Sequence, residues 1–418
     1  MQQSFHTIIL SLMRIHFTGH GVVSCLGLDV PSTLSALEHG RSGIVQVEEW
    51  LSLDGLDSHV AGMVSNFDNR FIPRKTRRTM SKMSEMLCKA CDEALDDAGL
   101  SRDDLNKRRV MVIVGSTTGS SASFESSFER FHRTGSARGQ LSTTMFKTMN
   151  HSVALNLASY LGFKGSVLSP SSACSTGAQA ILLGAQFIEA GLCDIAICGG
   201  ADECHVATAI AFDTAQAASS QNNNSPELAS RPFDRSRDGV VVAEGAAITI
   251  LESESSQKGR DAEAKGILLG WAQSCDGGEV AHSTKRSMAD NMRVAIAKSG
   301  LSPEDIGYVN AHATSTKLGD QNEAEAVFDV FGSNVAISSI KGNMGHCFAP
   351  CGTIEAIATL NMLNKGTYLP TKNLLDLDPI MPDMHYLNSV TMLETDAAMS
   401  NNFAMGGMNV SLILGAKE

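Results

Sequence analysis

The chain has 418 residues, of which 43% are hydrophobic and 19% charged, and its formal net charge is −12 at pH 7. This length allows two ordinary domains or one large duplicated domain, and the composition, with 37 glycines, is typical of a compact α/β protein. The acidic balance argues against binding to nucleic acid or to an anionic membrane surface.

The first thirteen residues are mildly apolar but lack the basic start and small-residue cleavage site of a secretory signal. We interpret residues 1–13 as an N-terminal extension or a misassigned start. No apolar run approaches the roughly 18 residues of a transmembrane helix, so we expect no membrane association. The ten cysteines are scattered, which is typical of reduced thiols in a cytoplasmic protein rather than of a disulfide framework.

Short apolar runs alternate with helical patterns along the chain. Met80, Met83, Leu87 and Cys91 recur at helical spacing and predict a buried helix within residues 79–100. A second helix is predicted over residues 175–192. Strands are predicted at residues 110–114, 194–198, 246–251, 266–271, 308–310, 335–338 and 410–414. Strands that alternate with helices indicate mainly parallel sheets covered by helices.

Two polar segments interrupt this alternation. Residues 219–230 are rich in turn-forming side chains and predict an exposed loop, and residues 253–265 form a charged, aperiodic stretch. We interpret the second segment as the connection between an N-terminal half, residues 14–252, and a C-terminal half, residues 266–418.

Cys174 lies between a small-residue turn and the predicted helix, in the run Pro-Ser-Ser-Ala-Cys-Ser-Thr-Gly. A thiol at a helix N-terminus feels the positive end of the helix dipole, which favours the thiolate. His312 and His346 follow far downstream, each in a run of small or polar residues. One cysteine and two histidines form a candidate acyl-transfer site, because imidazoles can activate a thiol or bind the carbonyl oxygen that it attacks.

Further motifs flank these three residues in a fixed order: Thr-Gly-His-Gly at residues 18–21, Arg-Pro-Phe-Asp at 231–234, Arg-Asp-Gly at 237–239 and Asn-Phe-Ala-Met-Gly-Gly at 402–407. With them, the chain from about residue 14 onward resembles the β-ketoacyl-acyl-carrier-protein synthases, in particular the elongating Cys-His-His type. The resemblance implies a thiolase-like fold, a duplicated five-layer αβαβα sandwich. It also implies acyl transfer followed by decarboxylative Claisen condensation with a malonyl thioester, in fatty acid or polyketide biosynthesis.

The resemblance also implies roles for individual residues. Cys174 would be the nucleophile, and the backbone N–H groups of Cys174 and Met405 would form the oxyanion hole. His312 and His346 would assist decarboxylation and stabilise the enolate. The other residues with implied roles are Lys341, which orders the site, Glu355, which supports it, Thr314 and Thr316, which bind pantetheine, and Phe212, which lines the acyl site.

The chain departs from the family pattern at three places. Met405 and Val240 stand where the family has phenylalanines at the acyl site. The histidine loop, usually Gly-His-Ser-Leu-Gly-Ala-Ala-Gly, reads Gly-His-Cys-Phe-Ala-Pro-Cys-Gly at residues 345–352. Gaining a proline and losing a glycine restrict this backbone. The departures affect the expected substrate range more than the reaction type, and the two loop cysteines are interpreted as small side chains rather than metal ligands.

Basic residues cluster on this acidic chain at two places and predict a docking surface for an acidic carrier protein, the alternative being a solvated charged face. The predicted docking residues are Arg74, Lys75, Arg78, Arg130 and Arg133. The expected partner is therefore acyl carrier protein, whose phosphopantetheine carries the substrates, and no metal or other cofactor is expected. We expect a homodimer, or a heterodimer with a chain-length-factor-like subunit.

Three alternatives remain at this point. The chain could be a ketosynthase of a specialised type II polyketide or polyene pathway. It could be a non-catalytic, chain-length-factor-like subunit, although such subunits typically lack the cysteine that is present here as Cys174. A thiolase is less favoured, because methionines stand where a thiolase has its second catalytic cysteine.

Overall fold

The computed structural model describes residues 14–278, 280 and 283–417, so the interpretation of residues 1–13 lies outside the described part. The strands are β1 (Ile15–Ser24), β2 (Ile44–Gln46), β3 (Val60–Gly62), β4 (Val110–Gly115), β5 (Ser166–Leu168), β6 (Ile195–Asp202), β7 (Gly245–Ser253), β8 (Gly266–Cys275), β9 (Ile306–Asn310), β10 (Ala336–Ser338), β11 (Thr367–Tyr368), β12 (His385–Tyr386), β13 (Thr391–Met392), β14 (Ala397–Ala404) and β15 (Met408–Gly415).

The α-helices alternate with these strands. They are α1 (Val30–Glu38), α2 (Arg74–Arg77), α3 (Lys82–Asp97), α4 (Arg102–Lys107), α5 (Ser121–Thr134), α6 (Met145–Thr148), α7 (Ser152–Leu161), α8 (Thr176–Glu189), α9 (Val206–Thr214), α10 (Glu254–Arg260), α11 (Lys285–Ser299), α12 (Lys317–Phe331), α13 (Lys341–Met344) and α14 (Cys351–Lys365). All seven predicted strands are present, as β4, β6–β10 and β15. The long strands β1 and β14 were not predicted, and neither were the short strands β2, β3, β5 and β11–β13.

The strand order shows that the fold is duplicated. In the described chain the main sheet runs β12-β10-β9-β14-β15-β8-β1-β7-β6-β4-β5. The five main strands are β1, β4, β5, β6 and β7 in the N-terminal half, and β8, β9, β10, β14 and β15 in the C-terminal half. When the strands of each half are numbered 1 to 5 in chain order and read from the outer edge of the sheet inward, both halves have the spatial order 3-2-4-5-1. The two sets meet where Ile15–Phe17 of β1 pair with Gly266–Leu268 of β8. The predicted division at residues 14–252 and 266–418 stays a prediction about domain boundaries.

The prediction of mainly parallel sheets is wrong. The outer pairs of each half are parallel, as between β4 and β6, but the five central pairs from β6 to β14 are antiparallel. This arrangement arises from the last two strands of each half, which are β6 and β7 or β14 and β15. These two strands are antiparallel to each other, and they lie between the parallel strands and the first strand of their half.

The layers form a five-layer αβαβα sandwich, as the family resemblance implied. On one outer side, α3 and α7 pack on the N-terminal half of the sheet. On the other outer side, α11 and α12 pack on the C-terminal half. The helices α8 and α14 lie between the two halves, and their apolar residues share one core with β1, β6, β8 and β15.

The glycines of the first strand explain how closely α3 packs. A Cβ atom added at Gly21 would lie 1.8 Å from the carbonyl oxygen of Ala90, and one at Gly19 would lie 2.2 Å from that of Ala94. Only glycine permits the helix backbone to lie against the strand at this distance. Cys88 and Cys91 are fully buried in the same interface, so their spacing reflects helix packing.

Candidate active site

Cys174 lies in a 3-10 turn, Ala173–Ser175, that leads from β5 into α8. The helix itself begins at Thr176, one residue later than predicted. The turn is constrained, because Ala173 has a φ of 49°, in the left-handed region that residues with a Cβ rarely adopt. The Ser175 hydroxyl lies 2.9 Å from the carbonyl oxygen of Ser172 and 3.2 Å from that of Met408. The turn is therefore tied to the C-terminal half of the protein.

His312 follows the end of β9, and a carboxylate that was not predicted holds its loop. Glu323, on α12, accepts hydrogen bonds from the backbone N–H groups of His312 (2.8 Å) and Ala313 (2.7 Å). Burial raises the pKa of Glu323 to about 8. In the sequence, the signal that could have identified Glu323 was its position on the helix that follows the His312 loop. Further along the loop, Ser315 has a φ of 73° and donates its N–H to Asp320.

His346 lies in the loop between α13 and α14. Its backbone N–H donates to the carbonyl of Val241 at 2.8 Å. Asp202, at the end of β6, accepts the N–H of Ala349 at 2.9 Å, and burial raises the pKa of this carboxyl to about 7. Phe348 has a φ of 60°. Pro350 is compatible with this loop because it immediately precedes the first residue of α14, where the missing N–H is not needed.

These three segments bring the predicted catalytic side chains together. The Cys174 Sγ and one ring nitrogen each of His312 and His346 lie within 4.8 Å of one another. The two imidazole rings meet edge to face, with centroids 5.2 Å apart. All three side chains are buried, with exposed fractions of 8% or less. Such a set could also bind a transition metal, and it is the only one with this spacing in the part of the chain that is described.

The two histidines differ in their electrostatic surroundings. Burial, the charge of Lys341 and the neighbouring His346 all lower the pKa of His312, which favours a neutral ring. Burial also acts to lower the pKa of His346, but the nearby Cys174 and Cys351 sulfurs outweigh it and raise this pKa to about 10. The site therefore combines one neutral and one positively charged imidazole.

Lys341 forms a buried ion pair with Glu355 of α14, and Glu355 also accepts a hydrogen bond from Asn402 at 2.7 Å. Burial opposes the charge on Lys341, but the Glu355 carboxylate outweighs it and raises the pKa of the ammonium group. The lysine is therefore a fixed positive charge behind the histidines rather than a surface residue.

The residues predicted to bind the substrate lie around this centre. Thr314 and Thr316 are partly exposed, and their hydroxyls lie 3.2 Å apart. Phe212 packs on Phe348, with ring centroids 5.6 Å apart, in the same apolar cluster as Cys174. Met405 is 45% exposed, in a turn next to β15.

Val240 was predicted to line the acyl site, and it is 2% exposed. Its backbone N–H donates to the carbonyl of Ala217 at 2.7 Å. Val242, two residues later, belongs to the apolar cluster around Cys174, whereas Val240 does not. The role of Val240 at the acyl site stays a prediction.

The predicted docking residues divide into two groups. Arg74, Lys75 and Arg78 are exposed on and just after α2, and none forms an ion pair with another described residue. Arg133 is also exposed, on α5. Arg130 is only half-exposed, because its guanidinium donates to the carbonyl of Gly139 and lines a cavity of about 390 Å³ beneath α5. Among the described residues, no helix is long and apolar enough to span a membrane.

Comparison with known proteins supports the resemblance. Residues 13–257 match the family "Beta-ketoacyl synthase, N-terminal domain", and residues 265–375 match "Beta-ketoacyl synthase, C-terminal domain". The chain is 34% identical over 409 residues to 3-oxoacyl-[acyl-carrier-protein] synthase 1 of Haemophilus influenzae, which covers 96% of this chain and 98% of that relative.

Solved structures are similar over nearly the whole chain. A beta-ketoacyl synthase from Burkholderia phymatum STM815 has a TM-score of 0.93 at 34% identity and covers 97% of this chain and all of its own. The ishigamide ketosynthase/chain length factor has a TM-score of 0.91 at 28% identity, with 98% and 100% coverage. A type II ketosynthase in complex with its acyl-carrier protein, AntDE:AntF, has a TM-score of 0.87 at 26% identity, with 97% and 100% coverage.

Proposed function

The chain belongs to the beta-ketoacyl synthase family, and from that premise we propose which of its residues carry the reaction. The enzyme is an acyltransferase that forms a carbon–carbon bond between an acyl group and a malonyl unit on acyl carrier protein. In this proposal Cys174 holds the acyl group, and His312 and His346 bind the malonyl thioester. The single observation that carries the proposal is the convergence of these three side chains within 4.8 Å.

The first half-reaction is acyl transfer to Cys174. The N-terminus of α8 and the His346 ring both lie next to the Cys174 sulfur, which is the attacking atom. The thiolate attacks the acyl thioester, and the backbone N–H groups of Cys174 and Met405 stabilise the oxyanion. The pantetheine thiolate then leaves and takes up one proton, equivalent to the proton that Cys174 gave up.

The second half-reaction is decarboxylative condensation. His312 and His346 donate hydrogen bonds to the thioester oxygen of the malonyl group, on which negative charge develops as carbon dioxide leaves. The resulting enolate carbon attacks the acyl carbonyl, and the Cys174 thiolate is released from the β-ketoacyl product. The steps are acyl transfer, decarboxylation and carbon–carbon bond formation, so the proposal requires no redox cofactor and no metal. Phosphopantetheine enters with the carrier protein.

The test is intact-mass spectrometry after incubation with a panel of acyl-carrier proteins. The wild-type protein should gain one acyl mass, and Cys174→Ala should gain none. Cys88→Ala is the matched control, because Cys88 is also buried but lies in the α3 interface, and this variant should gain the same mass as the wild type. An undiminished acyl adduct on Cys174→Ala would contradict the assignment of the nucleophile.

The carrier protein is proposed to dock on the exposed basic residues of α2. Acyl carrier proteins are acidic, so opposite charge would steer their association. Reversing the charge with Arg74→Glu and Arg78→Glu should raise the apparent KM for the acyl-carrier protein about tenfold or more and weaken its salt dependence. Reaction with small acyl thioesters should stay nearly unchanged. An equal loss with both kinds of donor would show that these arginines are structural.

A second subunit is proposed to cover α5 and β5. Phe124 and Phe128 are exposed and stacked on each other, with ring centroids 6.1 Å apart, and Phe131 on the same helix is also exposed. Val167 and Leu168 are exposed on β5, which is an edge strand of the main sheet. An apolar face beside an unpaired edge is typical of a subunit interface. We expect a homodimer.

A specialised polyketide or polyene ketosynthase is the second candidate function. The observation that favours it is the similarity to the ishigamide ketosynthase/chain length factor over 98% of the chain. In that case the α5 and β5 surface would bind a chain-length-factor-like subunit. The oligomeric state of the purified chain alone separates the two, because a stable homodimer is expected only of the first. A non-catalytic role is disfavoured by the presence of Cys174 beside both histidines.

A further inference from the structure

The first residue of α14, Cys351, contacts the rear of the His346 ring. Its Sγ lies 3.0 Å from His346 Nδ1. Both side chains are buried, at 1% and 2% exposure. The other ring nitrogen, Nε2, has no hydrogen-bond partner among the described residues. The thiol therefore occupies one side of the imidazole and leaves the other side available to Cys174 and the substrate.

The Cys351 thiol is itself held in place. Cys347 Sγ lies 3.4 Å from Cys351 Sγ, and the backbone N–H of Cys351 donates to the carbonyl of Phe348 at 3.1 Å. Both cysteines lie in the loop where this chain departs from the family pattern, which has serine and alanine at residues 347 and 351. The contact with His346 thus uses a side chain that the family pattern does not supply.

We infer that Cys351 is a positioning residue that keeps the proton of His346 on Nε2. When the ring is neutral, the Cys351 S–H donates to Nδ1, so the ring proton must be on Nε2. When the ring is charged, Nδ1–H donates to the sulfur, and Nε2 again carries a proton. In both states Nε2–H points a donor at the space where the enolate oxygen develops.

This inference rests on the proposed function and adds to it the group that orients one of its two donors. A structural role for Cys351, as a small side chain filling the start of α14, would not determine the histidine tautomer. The tautomer therefore distinguishes a positioning residue from a packing residue, and it can be observed without any substrate.

The variants are Cys351→Ala, which removes the thiol, and Cys351→Ser, which keeps a donor at nearly the same place. Cys347→Ala is the matched control, since Cys347 is equally buried and contacts Cys351 rather than the Nδ1 atom of His346. Side-chain ¹⁵N spectra of histidine-labelled protein report the tautomer, and the His346 signals are those that vanish in His346→Asn.

The spectra are recorded as the ring is titrated, because tautomers exist only when it is neutral, which in the wild type requires a pH above its pKa of about 10. In the neutral ring we expect the Nε2–H form in the wild type, Cys351→Ser and Cys347→Ala. Cys351→Ala loses one of the sulfurs that raise this pKa, so its ring should be neutral at a lower pH and should be a mixture of tautomers. The condensation rate should fall roughly tenfold in Cys351→Ala, as for the loss of one hydrogen bond, and recover in Cys351→Ser. The rate of acyl transfer to Cys174 should change less than twofold.

An unchanged tautomer in Cys351→Ala would overturn the inference, as would equal losses of acylation and condensation in that variant with a native-like melting temperature. Failure of the proposed function would look different. The wild type would then acquire no acyl group on Cys174, whereas the tautomer of His346 would still depend on residue 351.

Discussion

The β5-α8-β6 unit and the β10-α14-β14 unit occupy equivalent places in the two halves of the sheet, yet they present their cysteines in opposite ways. Cys174 lies in the short turn before α8 and faces the two histidines. Cys351 begins α14 and contacts His346 from behind. The second unit differs because α13 and the His346 loop are inserted between its strand and its helix. In the proposed mechanism, the duplicated scaffold thus supplies the nucleophile from one copy and a donor to His346 from the other.

The two central helices meet at a pair of glycines. A Cβ added at Gly177 would lie 2.6 Å from the carbonyl oxygen of Ala349, and one at Gly352 would lie 2.7 Å from the Cβ of Ala178. This close crossing brings the starts of both helices to one point. The candidate active site therefore forms where the two copies touch, and it depends on the contact between them as much as on either copy.

The largest expected effect comes from removing the contribution of the C-terminal half. His312→Ala and His346→Ala should each reduce condensation by about 10²- to 10⁴-fold, because each removes a donor to the developing enolate. Acylation of Cys174, which belongs to the other half, should persist. Stopped assays that separate acyl-enzyme from β-ketoacyl product measure both steps. Normal condensation in either variant would break the division of roles between the halves.

A smaller effect is expected at the crossing of the two helices. Gly177→Ala and Gly352→Ala should each lower the free energy of unfolding by about 1–3 kcal/mol, because the added methyl group overpacks the contact. Gly259→Ala is the control, since Gly259 lies in α10 with nothing within 4 Å of an added Cβ. That substitution should be neutral or stabilise by up to about 1 kcal/mol. Denaturant unfolding of all three variants measures these differences. Equal changes in unfolding free energy would contradict a close contact between α8 and α14.

The smallest expected effect concerns the carboxylate that holds the His312 loop. Burial raises the pKa of Glu323 from 4.5 to about 8, so the folded protein retains a proton that the unfolded chain loses. The stability that this group contributes is therefore fully present below pH 4.5 and is lost as the pH rises through about 8. The slope for one proton is at most about 1.4 kcal/mol per pH unit.

Glu323→Gln should remove that part of the pH dependence, measured as unfolding free energies at pH 5, 6.5 and 8. The exposed Glu304→Gln serves as control and should leave the wild-type slope intact. A Glu323→Gln protein with the wild-type slope would show that other buried carboxyls, such as Asp202 in the opposite half, account for the effect.

Part of this protein followed directly from its sequence. The pattern of apolar residues along short segments predicted seven strands and the buried helix α3, because hydrophobic periodicity indicates which face of a segment is buried. The three motifs around Cys174, His312 and His346 pointed to their reaction class through the residues next to them. The roles assigned to these side chains remain proposals.

Only the tertiary structure decided the rest, because the remaining contacts join residues that are distant in sequence. The antiparallel centre of the sheet arises from how the two halves close, which no local pattern records. Glu323 and Asp202 are ordinary acidic residues until folding places them beneath backbone N–H groups of the active-site loops. Likewise, Cys351 looks like a small loop residue in sequence, and only the fold places its thiol 3.0 Å from the ring of His346.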